Sequence, residues 1–303
     1  MSLSAIVGNF TKTNFYKATG FYRQLLYKKR KLKLSKDCIE NSIIDVILNE
    51  RKTYKRLGGR RMFFKLNVKT VGINKFEKIM SANNLGVKIR KRRIKTTQGV
   101  HEETDRNLIN GLELNDINQV IAGDITYLIL ANKTFYIYTL KDMYSKRIIG
   151  LHASNNLFAI SALIALIQGC KLRRKSIYNC IHHTDAGSQY KSKIYRKKIK
   201  DNKLRQSIAE NCLENGMAEQ LNGMIKNDYL PDKIKSVEEL NRVLVKIKNA
   251  LNNEIPIKAL GYKTPVQFED EIKNIPKDQR LVIKLHDFSV NYVNKKRGTF
   301  NEE

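Results

Sequence analysis

The chain has 303 residues, 42% of them hydrophobic, which is enough for a sizeable core and excludes wholesale disorder. Lys and Arg number 57 against 29 Asp and Glu, leaving a net charge of +28; an excess this far beyond solubility needs points to a partner made of phosphates, ahead of an anionic membrane surface. No apolar run approaches the ~20 residues of a spanning helix, the N-terminus lacks the apolar core of a secretory signal, and the cysteines (Cys38, Cys170, Cys180, Cys212) form no CxxC pair, so reduced cytoplasmic thiols are expected rather than structural zinc.

In chain order, the first 36 residues hold nine basic residues and no acidic one. "YRQLLYKKRKLKL" reads as a short basic helix, a candidate DNA-contacting arm or else a solvated end. "KDCIENSIIDVILNERKTY" places Ile39, Ile43, Val46 and Ile47 at helical spacing. "LGGRRMFFKLN" and "INKFEKIMSANNLG", joined by a turn near Gly72, predict two more helices. Three helices with one short turn suit a helix-turn-helix-like DNA-binding region over 1–95, or a plain three-helix bundle. Its last stretch, "KIRKRRIK", has six basic residues in eight, with Lys91, Arg92 and Arg93 as candidate phosphate contacts. Residues 96–117 read as an extended polar linker.

From Asn118 the period changes. "QVIAGDITYLIL", "FYIYTL" and "KRIIGLHAS" predict three antiparallel strands. "LFAISALIALIQGC" is an apolar helix that needs burial. "SIYNCIHH" predicts a fourth strand, "YKSKIYRKKIKDN" a basic helix with Lys191 and Arg196, and "KLRQSI" a fifth strand. "NGMAEQLNGMIKNDYL" predicts a further helix. The fold class is therefore α/β, a mixed five-stranded sheet flanked by helices, in the strand arrangement of ribonuclease H. The core spans 118–235. A helix with a Val237, Leu240, Val243, Leu244, Ile247 stripe and a strand-forming tail complete it over 236–303.

Two carboxylates stand where this sheet would carry hydrophobes: Asp124 within the first long strand and Asp185 just after the fourth. Either alone could be an aspartate bonded to backbone amides. Together they suggest neighbouring strands aiming two like charges at one point, which raises both pKa values unless a cation joins them. Hard oxygen ligands without paired cysteines favour Mg²⁺ or Mn²⁺. On the following helix Asn215, Glu219, Asn222 and Lys226 share one face, opposite Met217, Leu221 and Met224, and Glu219 is the candidate third ligand. Cys180 with His182 and His183 could be imagined as a metal site, but a buried thiol beside strand-end histidines is the simpler reading. Ser188 is a candidate helix cap and Gly187 a candidate tight-turn residue.

The motifs "GDITYL", "YTLKDMYSKRIIG", "HHTDAGSQY" and "ENGMAEQLNGMIKNDYL" resemble the integrase core of transposases of the IS3 insertion-sequence family, the second reading frame product. "LGGRRMFFKL", "NKFEKIMSANNLGV", "TTQGVHEETDRNLI" and "GYKTP" resemble its flanking regions, so the likeness runs from about Ile43 to Phe268. The resemblance implies a DDE recombinase with a retroviral-integrase-like, ribonuclease H-like core. It implies metal-dependent DNA cleavage and strand transfer in transposition, with Asp124, Asp185 and Glu219 as the catalytic and metal-binding carboxylates of two ions. It implies DNA partners (terminal inverted repeats and target), a homo-oligomer in the active complex, a first-reading-frame product as possible partner, and a cytoplasmic, nucleoid-associated setting. Lys226 is placed to meet the phosphate backbone near the cut, whereas Asp142, also inside a family-like motif, reads as a turn residue. The chain departs from the family's pattern in a spacing of 34 positions from Asp185 to Glu219, slightly short, and in Val120, Leu251, Ile255 and Ile257. The alternative reading is a remnant that binds DNA without catalysis.

Overall fold

The computed structural model describes residues 23–87, 106–130, 133–209, 216–231 and 233–286. The chain divides into two compact units, Met1–Val87 and Lys88–Glu303. "KIRKRRIK", with Lys91, Arg92 and Arg93, lies outside the described residues.

The first unit is helical: α1 (Arg23–Thr53), α2 (Gly59–Lys65) and α3 (Ile73–Ala82). The basic helix and the isoleucine-striped helix expected separately are one 31-residue helix. No Gly or Pro interrupts the run, and Lys, Arg and Leu are good helix formers. Ile43 and Ile47 from α1, Met62 from α2, and Phe76, Ile79 and Met80 from α3 are buried. Gly59 sits so close to α3 that an added Cβ would meet Met80 Sδ at 3.1 Å. Arg51 donates to the carbonyls of Lys55 and Leu57, and through Nη2 to Leu85 O at 2.9 Å, which closes the end of α1 against the end of α3.

The second unit is built on β2 (Val120–Leu130), β3 (Lys133–Asp142), β4 (Ile148–Ser154), β5 (Ile181–Thr184) and β6 (Arg205–Ile208), in the order β4-β3-β2-β5-β6. The first three are antiparallel; β5 runs parallel to β2 and β6 parallel to β5. Helices α4 (Ala159–Arg173), α5 (Ser188–Lys191) and α6 (Lys193–Asp201) connect the parallel strands. This order and direction are the ribonuclease H arrangement, so the fold class read from the sequence holds. A short β1 (Glu113–Leu114) pairs with β7 (Ile283–Lys284). The remaining helices are α7 (Gly216–Met224), α8 (Val237–Asn253) and α9 (Pro265–Ile272). No described helix is long and apolar enough to cross a membrane.

Alternation on β2 divides the core. Ile121 faces α4 and α6, packing with Tyr138, Leu166, Tyr190 and Tyr195. Val120 and Ala122 face the other way, with Tyr144, Ile181, Leu260 and Phe268. The α4 helix approaches the sheet closely, because a Cβ at Gly150 would lie 2.2 Å from Ala165 O.

Several boundaries differ from the sequence reading. The fourth strand begins at Ile181, not Ser176, because Arg174 and Asn179 take positive φ (52° and 63°) and Arg174–Ile177 form a 3₁₀ turn. The basic helix after Asp185 breaks at Ser192, whose hydroxyl accepts from Tyr195 N and caps α6. Ser188 is not a cap; Gly187 holds that position without a side-chain bond. Residues 106–117 are not a purely polar connection, since Ile109 and Leu114 are buried with the α9 face of the sheet. "GYKTP" forms a left-handed turn at Gly261 and Tyr262 and then a capping box, Thr264 with Gln267, that starts α9.

The edge strand β4 is covered by α8 through two asparagines. Asn252 accepts from Ile148 N and donates to Ile148 O, each at 2.9 Å. Asn241 does the same to Ala153, both at 2.8 Å. Each carboxamide thus replaces one step of a missing neighbour strand. Asn252→Leu strips two buried backbone groups of their partners and is expected to cost about 2 kcal/mol or more, read as a lowered urea midpoint.

Candidate active site

Asp124 lies on β2 and is 9% exposed. Its strand runs parallel to β5 in the register Val120↔Ile181, Ala122↔His183. Continuing that register by two residues carries Asp124 opposite Asp185, which follows the last residue of β5. Adjacent strands are ~4.8 Å apart. Parity also matters: 120, 122 and 124 share one face, and so do 181, 183 and 185. Both aspartates therefore belong to the sheet face that carries Val120 and Ile181, opposite α4 and α6. Asp185 is half-buried, and its Oδ1 accepts from Gly187 N at 3.2 Å. Gly187 sits in the turn after β5 with φ −61°, so the turn does not draw on glycine's left-handed freedom. What it supplies is space, because a Cβ there would meet Asp185 Oδ1 and Gln189 Oε1 at 3.0 Å.

The α7 helix crosses this face. Asn222 Nδ2 donates to Asp124 Oδ2 at 2.6 Å, and Lys226 Nζ donates to Thr126 Oγ1 at 3.1 Å. Asp124 and Thr126 are two apart on β2, and Asn222 and Lys226 are one helical turn apart, so strand and helix meet in step. Lys226 itself lies in a π-helical turn, Ile225–Tyr229, that continues α7. The helix face read as polar is the one that meets the strand. Leu221 and Ile225 are buried as well. Glu219 lies on α7, three residues before Asn222, so its backbone position belongs to the same helical face; its side chain is not among those described.

The two histidines before Asp185 are fully buried. His182 Nε2 meets Tyr195 OH at 2.7 Å, and His183 Nδ1 meets Ser207 Oγ at 2.9 Å. Burial pushes His182 down to about 3 and His183 down to about 4, so both are neutral at pH 7. Ser207 Oγ also accepts from Leu108 N. Cys180 is buried and free. Burial raises its thiol well above the ordinary value, which is the state of a structural thiol and not of a metal-binding thiolate.

Asp142 does act as a turn residue, but a buried one: Oδ1 accepts from Tyr144 N and Ser145 N, and Oδ2 from Asn118 N. Among the remaining candidates, Arg196 is exposed on α6, on the other side of the sheet from Asp124, and Lys191 is half-buried six residues after Asp185. Asn222 is the residue the sequence placed on the right helical face without assigning it a role.

Among the described side chains no group of three His, Cys, Asp or Glu residues is gathered. What the structure shows is a carboxamide against Asp124, on a strand whose neighbour leads into Asp185. This is an all-oxygen donor set, without thiolate, and it fits a hard divalent cation.

The sequence matches the family model described as integrase core domain over residues 115–211, a stretch containing Asp124 and Asp185 and ending before Glu219. It is 30% identical over 131 residues to the transposase for insertion sequence element IS629 of Shigella sonnei, covering 42% of this chain and 44% of that protein. It is 26% identical over 136 residues to a protein of insertion sequence element IS986/IS6110 of Mycobacterium tuberculosis named as a transposase, covering 42% and 49%. The chain thus spans about half the length of the curated relatives it matches. The catalytic core domain of HTLV-2 integrase, solved in complex with magnesium, aligns with a TM-score of 0.40 and 18% identity, over 54% of this chain and 99% of that one.

Proposed function

We propose that this protein is an insertion-sequence transposase of the IS3 type, cutting DNA at element ends and joining them to a target. Asp124, Asp185 and Glu219 hold two divalent ions, Mg²⁺ or Mn²⁺. The observation that supports this most is the parallel pairing of β2, which carries Asp124, with β5, which Asp185 follows, while the helix that carries Glu219 meets β2 through Asn222. Bound there, the ions would polarise the scissile phosphate and favour an oxygen nucleophile for in-line displacement.

The protein's own task is to hold charge and geometry. Two carboxylates on neighbouring strands repel unless a cation lies between them, so the sheet stores the site's affinity for metal. The Asn222 bond fixes Asp124, and Lys226 stands one helical turn further along α7, where a phosphate near the cut would find a cation. No side-chain nucleophile is required. The surplus of +28 supplies the sequence-independent grip on DNA, with Lys91, Arg92, Arg93, Lys191 and Arg196 among its contacts. Joining two ends calls for at least a dimer in the active complex, with a first-reading-frame product as a further candidate partner.

The test is cleavage and strand transfer on oligonucleotides carrying the inverted repeats that flank the gene. Product that needs Mg²⁺ or Mn²⁺ and vanishes in EDTA is expected. Binding of the same ends with no metal-dependent product would instead identify a protein that only occupies them. The grip on DNA is itself expected to be salt-sensitive. With ~6–10 phosphates neutralised, affinity falls about a thousandfold or more between 50 and 200 mM salt, measured by fluorescence anisotropy.

A further inference from the structure

Asn222 is only 3% exposed, and its two polar atoms have different fates. Asp124 Oδ2, 2.6 Å away, belongs to a group that only accepts hydrogen bonds when ionised, so the atom facing it must be the Nδ2 amide donor. That fixes the orientation of the carboxamide and turns Oδ1 elsewhere. Oδ1 is buried, with no hydrogen-bond partner among the described residues. Leaving a buried carbonyl oxygen unsatisfied is costly, and such exceptions call for an occupant.

We infer that Asn222 is a positioning residue of the divalent-ion site: its amide holds the Asp124 carboxylate in place, and its carbonyl oxygen accepts from the water shell of the bound ion. This rests on the metal-binding reading above and assigns the fourth residue to it. A carboxamide suits both tasks. It donates to a carboxylate without adding charge, and it offers a hard oxygen toward a hydrated cation. Its place on α7 also gives it a mechanical role. It ties the helix that carries Glu219 to the strand that carries Asp124, so the two ends of the site are set by one bond. Thr126 and Lys226 repeat the tie one turn further on.

The experiment has a metal-free arm and a metal arm, both on the full chain. Without metal, Asn222→Asp sets two carboxylates face to face and is expected to lower the urea midpoint. Adding Asp124→Asn to that variant restores a donor–acceptor pair in reverse and is expected to bring the midpoint back. A midpoint that the second substitution leaves unmoved overturns the inferred contact. In the metal arm, Mn²⁺ binding is followed by electron paramagnetic resonance of the free ion. Asn222→Ala is expected to weaken it about 10–100-fold. Mn²⁺ affinity equal to the parent's, with stability lowered, would mean a merely structural residue and overturns this inference alone. A parent that binds no Mn²⁺, indistinguishable from Asp185→Asn, overturns the metal-binding reading along with it.

Discussion

Asp185→Asn is expected to reduce the proposed metal-dependent strand transfer by about a thousandfold or more, while DNA binding and the circular-dichroism spectrum stay as in the parent. The size follows from what the carboxylate would do. Metal stabilisation of the charge that develops on a phosphoryl group is worth several kcal/mol, and each ~1.4 kcal/mol is a factor of ten in rate. Asn keeps the shape and still offers an oxygen, so Gly187 N keeps an acceptor at 3.2 Å and the turn before α5 is undisturbed. What is lost is charge. The variant is expected to gain less stability than the parent when Mn²⁺ is added. A variant with unchanged transfer would place the chemistry away from this sheet face.

Loss of transfer with binding and fold retained would separate a functional carboxylate from a structural one, and Asp142 is an example of the second kind. Asp142 is buried like Asp124, but it receives three backbone N–H groups and lies 3.7 Å from Arg173 Nη2. Its charge is answered by the fold. Asn222 Nδ2 donates to Asp124 on β2, and Gly187 N donates to Asp185 just after β5. From the sequence the two kinds look alike, because each is an acidic residue closing or interrupting an apolar run.

The elements that local pattern controls were readable in advance. Alternation along "QVIAGDITYLIL" and the apolar stretch "LFAISALIALIQGC" yielded β2 and α4, and the order of strands followed. Asp124 and Asp185 stood out because a carboxylate stands within or just after an apolar run where the sheet would carry a hydrophobe. What could not be read depends on partners distant in the chain. Asn241 and Asn252 look like the polar side of an amphipathic helix; they bond to β4, 88 and 104 residues away, Asn252 buried and Asn241 half-buried. Asn222 and Lys226 belong to a face that looks solvated, yet both bond to β2. The run Ile177–Ile181 looks like one strand because backbone φ is invisible in it. Asn179, one of the residues that tolerate the left-handed region best, breaks it.

Glu269 carries the second large effect. In the sequence it is an unremarkable acid in "VQFEDEI", on a helix whose other charged residues are exposed. In the fold it is 2% exposed and joins three elements. Arg173, at the end of α4, donates to both its oxygens at 2.9 and 2.5 Å, Arg147 donates to Oε2, and Ser145 Oγ donates to Oε1 at 2.7 Å. Burial alone would push the Glu269 carboxyl up, but the bonds and charge of Arg173, with Ser145 and Arg147, hold it below the usual carboxylate range. Its charge is thus retained at pH 7. Glu269→Ala leaves the Arg173 guanidinium buried without its bidentate partner, 3.7 Å from Asp142, and breaking a buried pair in this way costs about 3–5 kcal/mol. The loss is expected as a lowered urea midpoint together with a weakened near-ultraviolet signal, because α9 also carries Phe268, whose ring lies 5.4 Å from that of Tyr144. Replacing both partners, Glu269→Leu with Arg173→Met, removes the stranded charge as well as the bond and should recover much of the stability. If the double variant were as unstable as Glu269→Ala, shape and not charge would be holding α9 to the sheet.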